Sequence, residues 1–498
     1  MRSFEDLFKS FGFQEYPFAI FSAEGERKKL HQLFVRPAIY APLVDTFKSR
    51  SSVVIAGERG TGKTALVYEL MRSAEKDSLY VYVEDFSSLD IGHDQVGLYK
   101  FLLDNLTEAF FKKIAEKPWR VWTKSRDEKL LLSYLLKYHT SQVSVSRIEE
   151  RIRKIQVALP KRLAVWTYNR IRGVLNYSAT AALNISSDIV QKHFPGLPAL
   201  DNTGHREYFP ALRTDQVSSV EVAKANFSLL SRVADLCGSF GIDGVVFVID
   251  KVDEEPRLEN DAASIAEFLQ VLLTDNKLLL HSGVQFLIAC WSIPLEQLKA
   301  RVRFQKLSLQ RVVWQEEQLC DVLNQRLATF SSGAVQSFYS IFDEAGQKIF
   351  LEVMPLANGN PRDLWHLMDA IFKKQYELDS EAEFLGERAC AEGARKFVSD
   401  FNFYEYYPRA SGARSNTMDV YSYIAHLLKL SSSRFTKNQL SEQASTGSST
   451  NNYVVAMENM GLIGKSDEKG EGGAVVYAVR DPKVTFAREN GISIHRIS

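Results

Sequence analysis

A phosphate-binding pattern lies near the start of the chain, where Gly57, Gly60 and Gly62 are followed by Lys63 and Thr64. A first glycine, four intervening residues and Gly-Lys-Thr let backbone N–H groups converge on phosphate oxygens. The lysine would place its charge on the terminal phosphates, and the threonine hydroxyl would be a ligand for Mg²⁺. The pattern therefore predicts a site for a nucleoside triphosphate with Mg²⁺.

The segments on either side of this pattern are the ones that such a loop requires. The apolar run 52–56 predicts a buried strand, and residues 65–71 predict a helix. Because a helix N-terminus favours anions, we expect Thr61 and the loop glycines to contact the phosphates. The alternative is a glycine-rich connector with a surface lysine, which would not need this strand–loop–helix order.

A second apolar run, residues 245–249, ends in Asp250. This pattern predicts a central parallel strand that delivers a carboxylate to the carboxyl edge of a sheet, where α/β folds bind their ligands. We expect Asp250 to share Mg²⁺ with Thr64. A strand ending in aspartate is weak evidence alone, but the phosphate-binding pattern upstream strengthens it.

Further polar residues follow in the order that a triphosphate site could use. Another apolar run, 283–290, predicts a strand, and Ser292 just beyond it could touch the γ-phosphate or the attacking water. The alternative for Ser292 is a plain strand end. Arg301, Arg303 and Arg311 come next, and one of them could reach a neighbouring subunit's nucleotide. Each alone could also be an ordinary surface arginine.

Arg362 lies near the start of a predicted helix. Asn360 is a good N-cap, Pro361 suits the first helical turn, and Asp363 complements the helix dipole. This placement would allow Arg362 to point at a phosphate, although a role in capping alone is an open alternative.

The composition limits the class of protein. The chain has 498 residues, 45% of them hydrophobic, and a net charge of zero, so no global field favours nucleic acid or a membrane. No apolar stretch approaches the ~20 residues needed to cross a bilayer. Four cysteines without metal spacing are typical of reduced core residues. These features predict a soluble cytoplasmic protein.

Two regions could contact nucleic acid. Residues 112–172 are rich in Lys and Arg, with interleaved tryptophans, which would suit a phosphate backbone; we favour a solvated helical insert. Near the C-terminus, three predicted helices and a β-hairpin indicate a winged helix. Its third helix has Asn451 and Asn452 but no Lys or Arg over 448–460, so we favour a protein-contact role.

The order of these motifs resembles AAA+ and STAND-type ATPases over residues 45–85 and 225–485. The resemblance implies an α/β fold with a parallel-sheet P-loop ATPase core, a helical insert, a helical lid and a winged helix. It also implies that Arg362 contacts the γ-phosphate, because Asn360-Pro361-Arg362 is similar to the sensor-two helix start of origin-recognition-like and transposition-related ATPases. We predict the following domains: an N-terminal arm (1–50), the core (51–330, with the insert at about 90–225), the lid (331–400) and the winged helix (401–498).

One departure from the AAA+ pattern concerns the water-activating base. Typical members have glutamate directly after the strand aspartate, whereas this chain has Lys251. Acids appear instead at Asp253 and Glu254, a spacing similar to the NACHT and KAP branches of STAND-type ATPases. The resemblance therefore implies that Asp253 or Glu254 is the base.

Three functions follow from these patterns. The first is an ATP-hydrolysing switch that forms a homo-oligomer and acts with a separate effector or sensor protein, plausibly in prokaryotic antiviral defence. The alternative is a DNA-binding AAA+ ATPase of the origin-recognition or transposition-regulator type. Lys251 leaves open a third, a nucleotide-binding scaffold with negligible hydrolysis.

Overall fold

The computed structural model describes residues 2–73, 77–139, 219–409 and 419–496. Most of the predicted basic insert, including Arg151, Arg153 and Lys154, lies outside these residues. Within the described residues, no helix combines the length and the apolar character needed to cross a membrane.

A parallel sheet of five strands forms the centre of the molecule, in the order β2-β3-β4-β1-β5. Its strands are β1 (Val53–Gly57), β2 (Ser78–Val83), β3 (Gly244–Ile249), β4 (Val284–Trp291) and β5 (Ser308–Arg311). The predicted fold class is confirmed: the chain is a mixed α/β protein with a central parallel sheet. Because all of these strands are parallel, the carboxyl ends of β1 and β3 lie at the same edge of the sheet.

The helices cover both faces of this sheet and continue beyond it. In chain order, α1 to α9 are Phe4–Ser10, Leu30–Leu33, Tyr40–Lys48, Lys63–Ser73, Gln95–Ile114, Arg126–Tyr138, Ser219–Ser239, Ala262–Thr274 and Asn276–Leu279. The next nine, α10 to α18, are Ser292–Leu298, Glu316–Phe330, Glu344–Val353, Pro361–Leu378, Glu387–Asp400, Val420–Leu427, Lys437–Gln443, Thr450–Asn459 and Pro482–Glu489.

The capping residues explain where several helices begin and end. Periodicity alone predicts a helix from residue 98, but α5 starts at Gln95 because the Asp94 side chain accepts a hydrogen bond from Gly97 N at 3.0 Å. The helical stretch predicted over 335–375 is interrupted at Asn358 and Gly359, whose φ angles are 51° and 66°. The side chain of Asn360 then caps α13, as predicted.

The strands are buried on both faces, as expected for a parallel sheet between helical layers. Val54 and Ala56 of β1 face a core shared with α5, α7 and α8. Val53 and Ile55 face a second core, which also contains residues of the N-terminal arm and of α11, α13 and the C-terminal helices. The arm, the sheet and the C-terminal part of the chain are therefore joined by a continuous apolar contact.

The C-terminal segment has the element order helix, strand, two helices, two strands. Its three strands, β6 (Arg434–Thr436), β7 (Ile463–Lys469) and β8 (Val475–Val479), form a separate antiparallel sheet in the order β6-β8-β7. The winged helix stays a prediction for this segment. The final helix α18 returns to α13, where Lys483 Nζ lies 2.8 Å from Asp363 Oδ2.

Candidate nucleoside triphosphate site

The loop between β1 and α4 has the backbone conformation that its glycines permit. Gly60 and Gly62 have φ angles of 83° and 88°, a region that L side chains rarely adopt. A Cβ atom on Gly60 would lie 2.5 Å from Asn360 Oδ1, whereas one on Gly62 would meet nothing within 4 Å. Because Gly62 lines a cavity, the backbone here is open to the close approach of a phosphate.

Lys63 and Thr64 begin α4 directly after this loop. The Lys63 ammonium is buried and donates to the carbonyl oxygens of Gly57 at 3.1 Å and Glu58 at 3.0 Å. The Thr64 hydroxyl donates to Asp250 Oδ2 at 2.9 Å, although the two residues are 186 positions apart. The structure therefore places Thr64 beside the carboxylate that follows β3.

Asp250 has surroundings that suit a ligand for a hard cation. Burial raises the pKa of its carboxyl, and hydrogen bonds from Tyr82 and Thr64 oppose that rise. A carboxylate and a hydroxyl are the oxygen donors that Mg²⁺ takes from proteins, with phosphates and water completing the octahedron. The described residues hold no cluster of three or more His, Cys, Asp or Glu that could bind a metal alone. The donor set thus fits Mg²⁺ delivered with a nucleotide.

A cavity of about 260 Å³ adjoins these residues. One part of its wall is polar and is formed by the loop and strand ends: Gly60, Gly62, Lys63, Thr64, Asp250, Asp253 and Glu254. Another part is largely apolar and comes from the N-terminal arm and the helices beyond the sheet: Leu30, Leu33, Phe34, Val35, Trp314, Val322 and Trp365. The first wall suits phosphates, and the second suits the flat apolar faces of a base.

The N-terminal arm is fastened over this cavity by ion pairs. Glu26 pairs with Arg326 of α11, with Oε1 and Nη2 2.5 Å apart, and both side chains are buried. Lys251 Nζ lies 2.9 Å from Glu24 Oε1 and 3.1 Å from Glu84 Oε2. Lys251 thus supplies no carboxylate at the position after the strand aspartate. Its ammonium joins the N-terminal arm to the sheet instead.

Asp253 and Glu254, the two predicted bases, have different partners. Asp253 Oδ2 accepts a hydrogen bond from Arg59 Nε at 2.6 Å, and its side chain is 8% exposed. Burial raises the pKa of Asp253, but the charges of Lys63 and Arg59 lower it below its usual value overall. Glu254 reaches solvent and lines the cavity; partial burial, followed by the charge of Asp253, raises its pKa.

Of the other predicted site residues, one reaches the cavity. Arg362 lines the cavity, and its Nη1 is 3.9 Å from Glu405 Oε2. Ser292 is buried at the start of α10 and hydrogen-bonds to Glu58, and it is not among the residues that line the cavity. Arg303 is exposed on the loop before β5 and also does not line the cavity.

Several contacts at the site were not predicted from the sequence. Arg59 joins Asp253 to the C-terminal segment, because its Nη1 also donates to the Tyr404 carbonyl oxygen at 3.4 Å. Trp314 Nε1 donates to the carbonyl oxygen of Thr61 at 2.9 Å and so supports the loop. No strand is predicted directly before Trp314, so the sequence offered no signal for this contact.

Comparisons with known proteins give remote structural similarity alone. No protein-family model matches the chain, and no curated protein matches it. The chain is similar to the Aeropyrum pernix ORC2 protein, solved as ADPNP and ADP complexes, with 10% identity, a TM-score of 0.39 and 97% of each chain covered. It is also similar to a Walker-type ATPase of Pyrococcus abyssi, with 12% identity, a TM-score of 0.39 and coverage of 94% of this chain and 96% of the other.

A third similar structure is Drosophila ORC bound to DNA, with 9% identity, a TM-score of 0.30 and coverage of 97% of this chain and 91% of the other. At such low TM-scores, the similarities carry no argument about what this chain does. The functional argument therefore depends on the site itself.

Proposed function

We propose that this chain binds ATP with Mg²⁺, hydrolyses it, and uses the nucleotide state as a molecular switch that oligomerises and acts with partner proteins. The observation that carries the proposal is the 2.9 Å hydrogen bond between the Thr64 hydroxyl and the Asp250 carboxylate, beside a cavity with one polar and one apolar wall. A glycine loop and a lysine suit the phosphates of a nucleotide, and this oxygen pair suits the Mg²⁺ that accompanies it.

The residues divide the work as follows. The backbone from Gly60 to Gly62 and the Lys63 ammonium would bind the phosphates, and Lys63 would exchange its present carbonyl partners for phosphate oxygens. Thr64 and Asp250 would hold Mg²⁺, which neutralises charge on the transferred phosphoryl group. Glu254 would orient the attacking water, because Asp253 is engaged by Arg59. Arg362 would contact the γ-phosphate.

The test is ATP binding and phosphate release by the wild type and by Lys63→Ala. We expect the wild type to release phosphate only with Mg²⁺ and the variant to bind no ATP. Lys29→Ala is a matched control, because Lys29 is paired with Glu15 on the arm at 2.7 Å and does not line the cavity. Undiminished turnover in Lys63→Ala would contradict the site.

A DNA-binding ATPase is the second candidate, and the element order of the C-terminal segment favours it. The exposed face of α17 carries Asn451, Asn452, Val455 and Asn459 and has no cation of its own for phosphate anchoring, but Lys437 of α16 donates to Asn451 Oδ1 at 2.6 Å. A DNA titration at several salt concentrations separates the two candidates. Tight binding would establish the DNA-binding candidate if its log affinity falls steeply with log salt and if neutralising Arg151, Arg153 and Lys154 abolishes it. Antiviral defence stays a prediction of the sequence resemblance.

A further inference from the structure

The carboxylate of Asp250 accepts a hydrogen bond from a residue outside the phosphate-binding loop. The Tyr82 hydroxyl donates to Asp250 Oδ2 at 2.8 Å, the same oxygen that accepts from Thr64 at 2.9 Å. The other oxygen, Oδ1, accepts from the backbone N–H of Lys251 at 2.9 Å. Both oxygens therefore have donors, and Tyr82 is the donor that comes from the neighbouring strand.

The sheet register fixes the tyrosine at this place. Val83 of β2 pairs with Ile249 of β3, and the Asp250 N–H donates to the Val83 carbonyl oxygen at 3.1 Å. Tyr82 is therefore one residue from the backbone contact that anchors Asp250. Since side chains alternate along a strand, its ring points to one face of the sheet and its hydroxyl reaches the carboxylate.

Aromatic packing against α4 fixes the position of the Tyr82 ring. The ring stacks on Tyr68 of α4, with centroids 5.7 Å apart and an interplanar angle of 26°. The guanidinium of Arg27 from the N-terminal arm lies over Tyr68, 4.7 Å from its centroid. The ring is thus held where its hydroxyl donates to the Asp250 carboxylate.

We propose that Tyr82 is a positioning residue that fixes the Asp250 carboxylate in the orientation required to meet Mg²⁺ bound with the nucleotide. This inference rests on the proposed function. Without the phenol, Oδ2 would keep only the Thr64 hydroxyl as donor, and the same hydroxyl would be drawn to the metal. The carboxylate would then rotate more freely, and groups that orient metal ligands typically contribute about 10- to 100-fold in metal affinity.

The substitution Tyr82→Phe separates this role from simple packing, because phenylalanine keeps the ring and its stack on Tyr68. The matched control is Tyr80→Phe. Tyr80 lies two residues earlier on the same face of β2, about 7 Å further from the carboxyl end of the strand. A packing role alone would change thermal stability in both variants and leave their Mg²⁺ dependence unchanged.

The experiment is a Mg²⁺ titration of the binding of a fluorescent non-hydrolysable ATP analogue, with a parallel series in EDTA. For Tyr82→Phe we expect the half-saturating Mg²⁺ concentration to rise about 10-fold or more, with unchanged affinity in EDTA. For Tyr80→Phe we expect the wild-type curve.

The outcomes separate the two proposals. A wild-type Mg²⁺ curve for Tyr82→Phe, together with nucleotide binding by the wild type, would overturn the role of Tyr82 and leave the proposed function intact. Failure of the wild type to bind the analogue would overturn both. Restoration of full binding to Tyr82→Phe by excess Mg²⁺ would support the positioning role, because a disrupted nucleotide pocket would not be rescued by metal.

Discussion

Asp253 and Glu254 are neighbours in the chain, but their contacts differ. Asp253 is buried and its charge is compensated by Arg59, 2.6 Å away. A carboxylate that already holds a guanidinium is poorly placed to accept a proton from water. Glu254 faces the cavity with a raised pKa, which suits a general base. We therefore propose Glu254 as the base, a choice that the sequence left open.

Substitution of Glu254 should affect hydrolysis, whereas substitution of Asp253 should affect stability. Glu254→Gln should keep ATP affinity and lose most hydrolysis, since general-base groups contribute about 100-fold or more. Asp253→Ala should lower the free energy of unfolding by about 3 kcal/mol, because it leaves Arg59 without its buried partner. Phosphate release and urea denaturation measure the two effects. Normal turnover in Glu254→Gln with none in a stable Asp253→Ala would reverse the assignment.

The pH dependence of hydrolysis should report the same glutamate. The base acts when it is deprotonated, so a pKa raised above 4.5 moves the acidic limb of the rate profile to higher pH. Asp253 has a lowered pKa, so the stability that its ion pair contributes is present above 3.8 and is lost only as pH falls through the lowered value. The fold should therefore outlast the activity during acidification.

The profile is measured as kcat at saturating MgATP from about pH 5 to 8, the range over which catalytic bases are tuned. Circular dichroism over the same range supplies the control for folding. Glu254→Gln should lack the acidic limb, with a low rate that varies little across the range. An unchanged limb in that variant would show that another group titrates.

At the scale of elements, sequence could predict what is local and missed what is remote. The strand, glycine loop and helix around Lys63 lie within a short contiguous stretch, so hydrophobic pattern and turn chemistry were sufficient. The pair of Arg59 and Asp253 joins residues 194 positions apart. Nothing in either local pattern selects the other residue. The helix α5 began earlier than periodicity indicated, because Asp94 acts as its cap.

The contact between α13 and α18 shows the same limit. Lys483 Nζ and Asp363 Oδ2 are 2.8 Å apart as an ion pair without the alignment of a good hydrogen bond. Both side chains are buried, with 0% and 7% exposure. Lys483 also lies over the ring of Phe401, 4.2 Å from its centroid. Since Asp363 follows Arg362 directly, this pair joins the C-terminal domain to the helix start beside the nucleotide cavity.

Breaking this pair from one side should destabilise the protein. Lys483→Met leaves Asp363 buried with an uncompensated charge, and we expect the free energy of unfolding to fall by about 3 kcal/mol or more. The double variant Lys483→Met/Asp363→Leu should recover much of that loss, because the buried charge is gone. Urea denaturation of the two variants decides the matter. Equal stability of the single variant and the wild type would show that the pair contributes nothing.

At the scale of the whole molecule, a second cleft indicates where a neighbouring copy could dock. It has a volume of about 740 Å³ and shares Arg59, Asp253, Glu254 and Arg362 with the nucleotide cavity. Its remaining wall includes three further acids and one arginine, so that its acids outnumber its arginines: Glu255, Glu259, Glu405 and Arg409. Such a wall would attract a cation from a neighbour, and Arg303 is exposed on the loop before β5. We therefore expect Arg303 to complete the site in trans.

Mixing two inactive variants tests this expectation. Arg303→Ala keeps its own nucleotide site, and Lys63→Ala keeps its own Arg303, so an oligomer containing both should have some complete sites. Each variant alone should hydrolyse at least 100-fold more slowly than the wild type, while an equimolar mixture should regain part of the rate. Arg301→Ala is the matched control, because Arg301 Nη1 donates to Gln270 of its own chain at 2.6 Å; it should hydrolyse normally. Persistent inactivity of the mixture, with oligomers detected by mass, would show that Arg303 does not act on a neighbouring site.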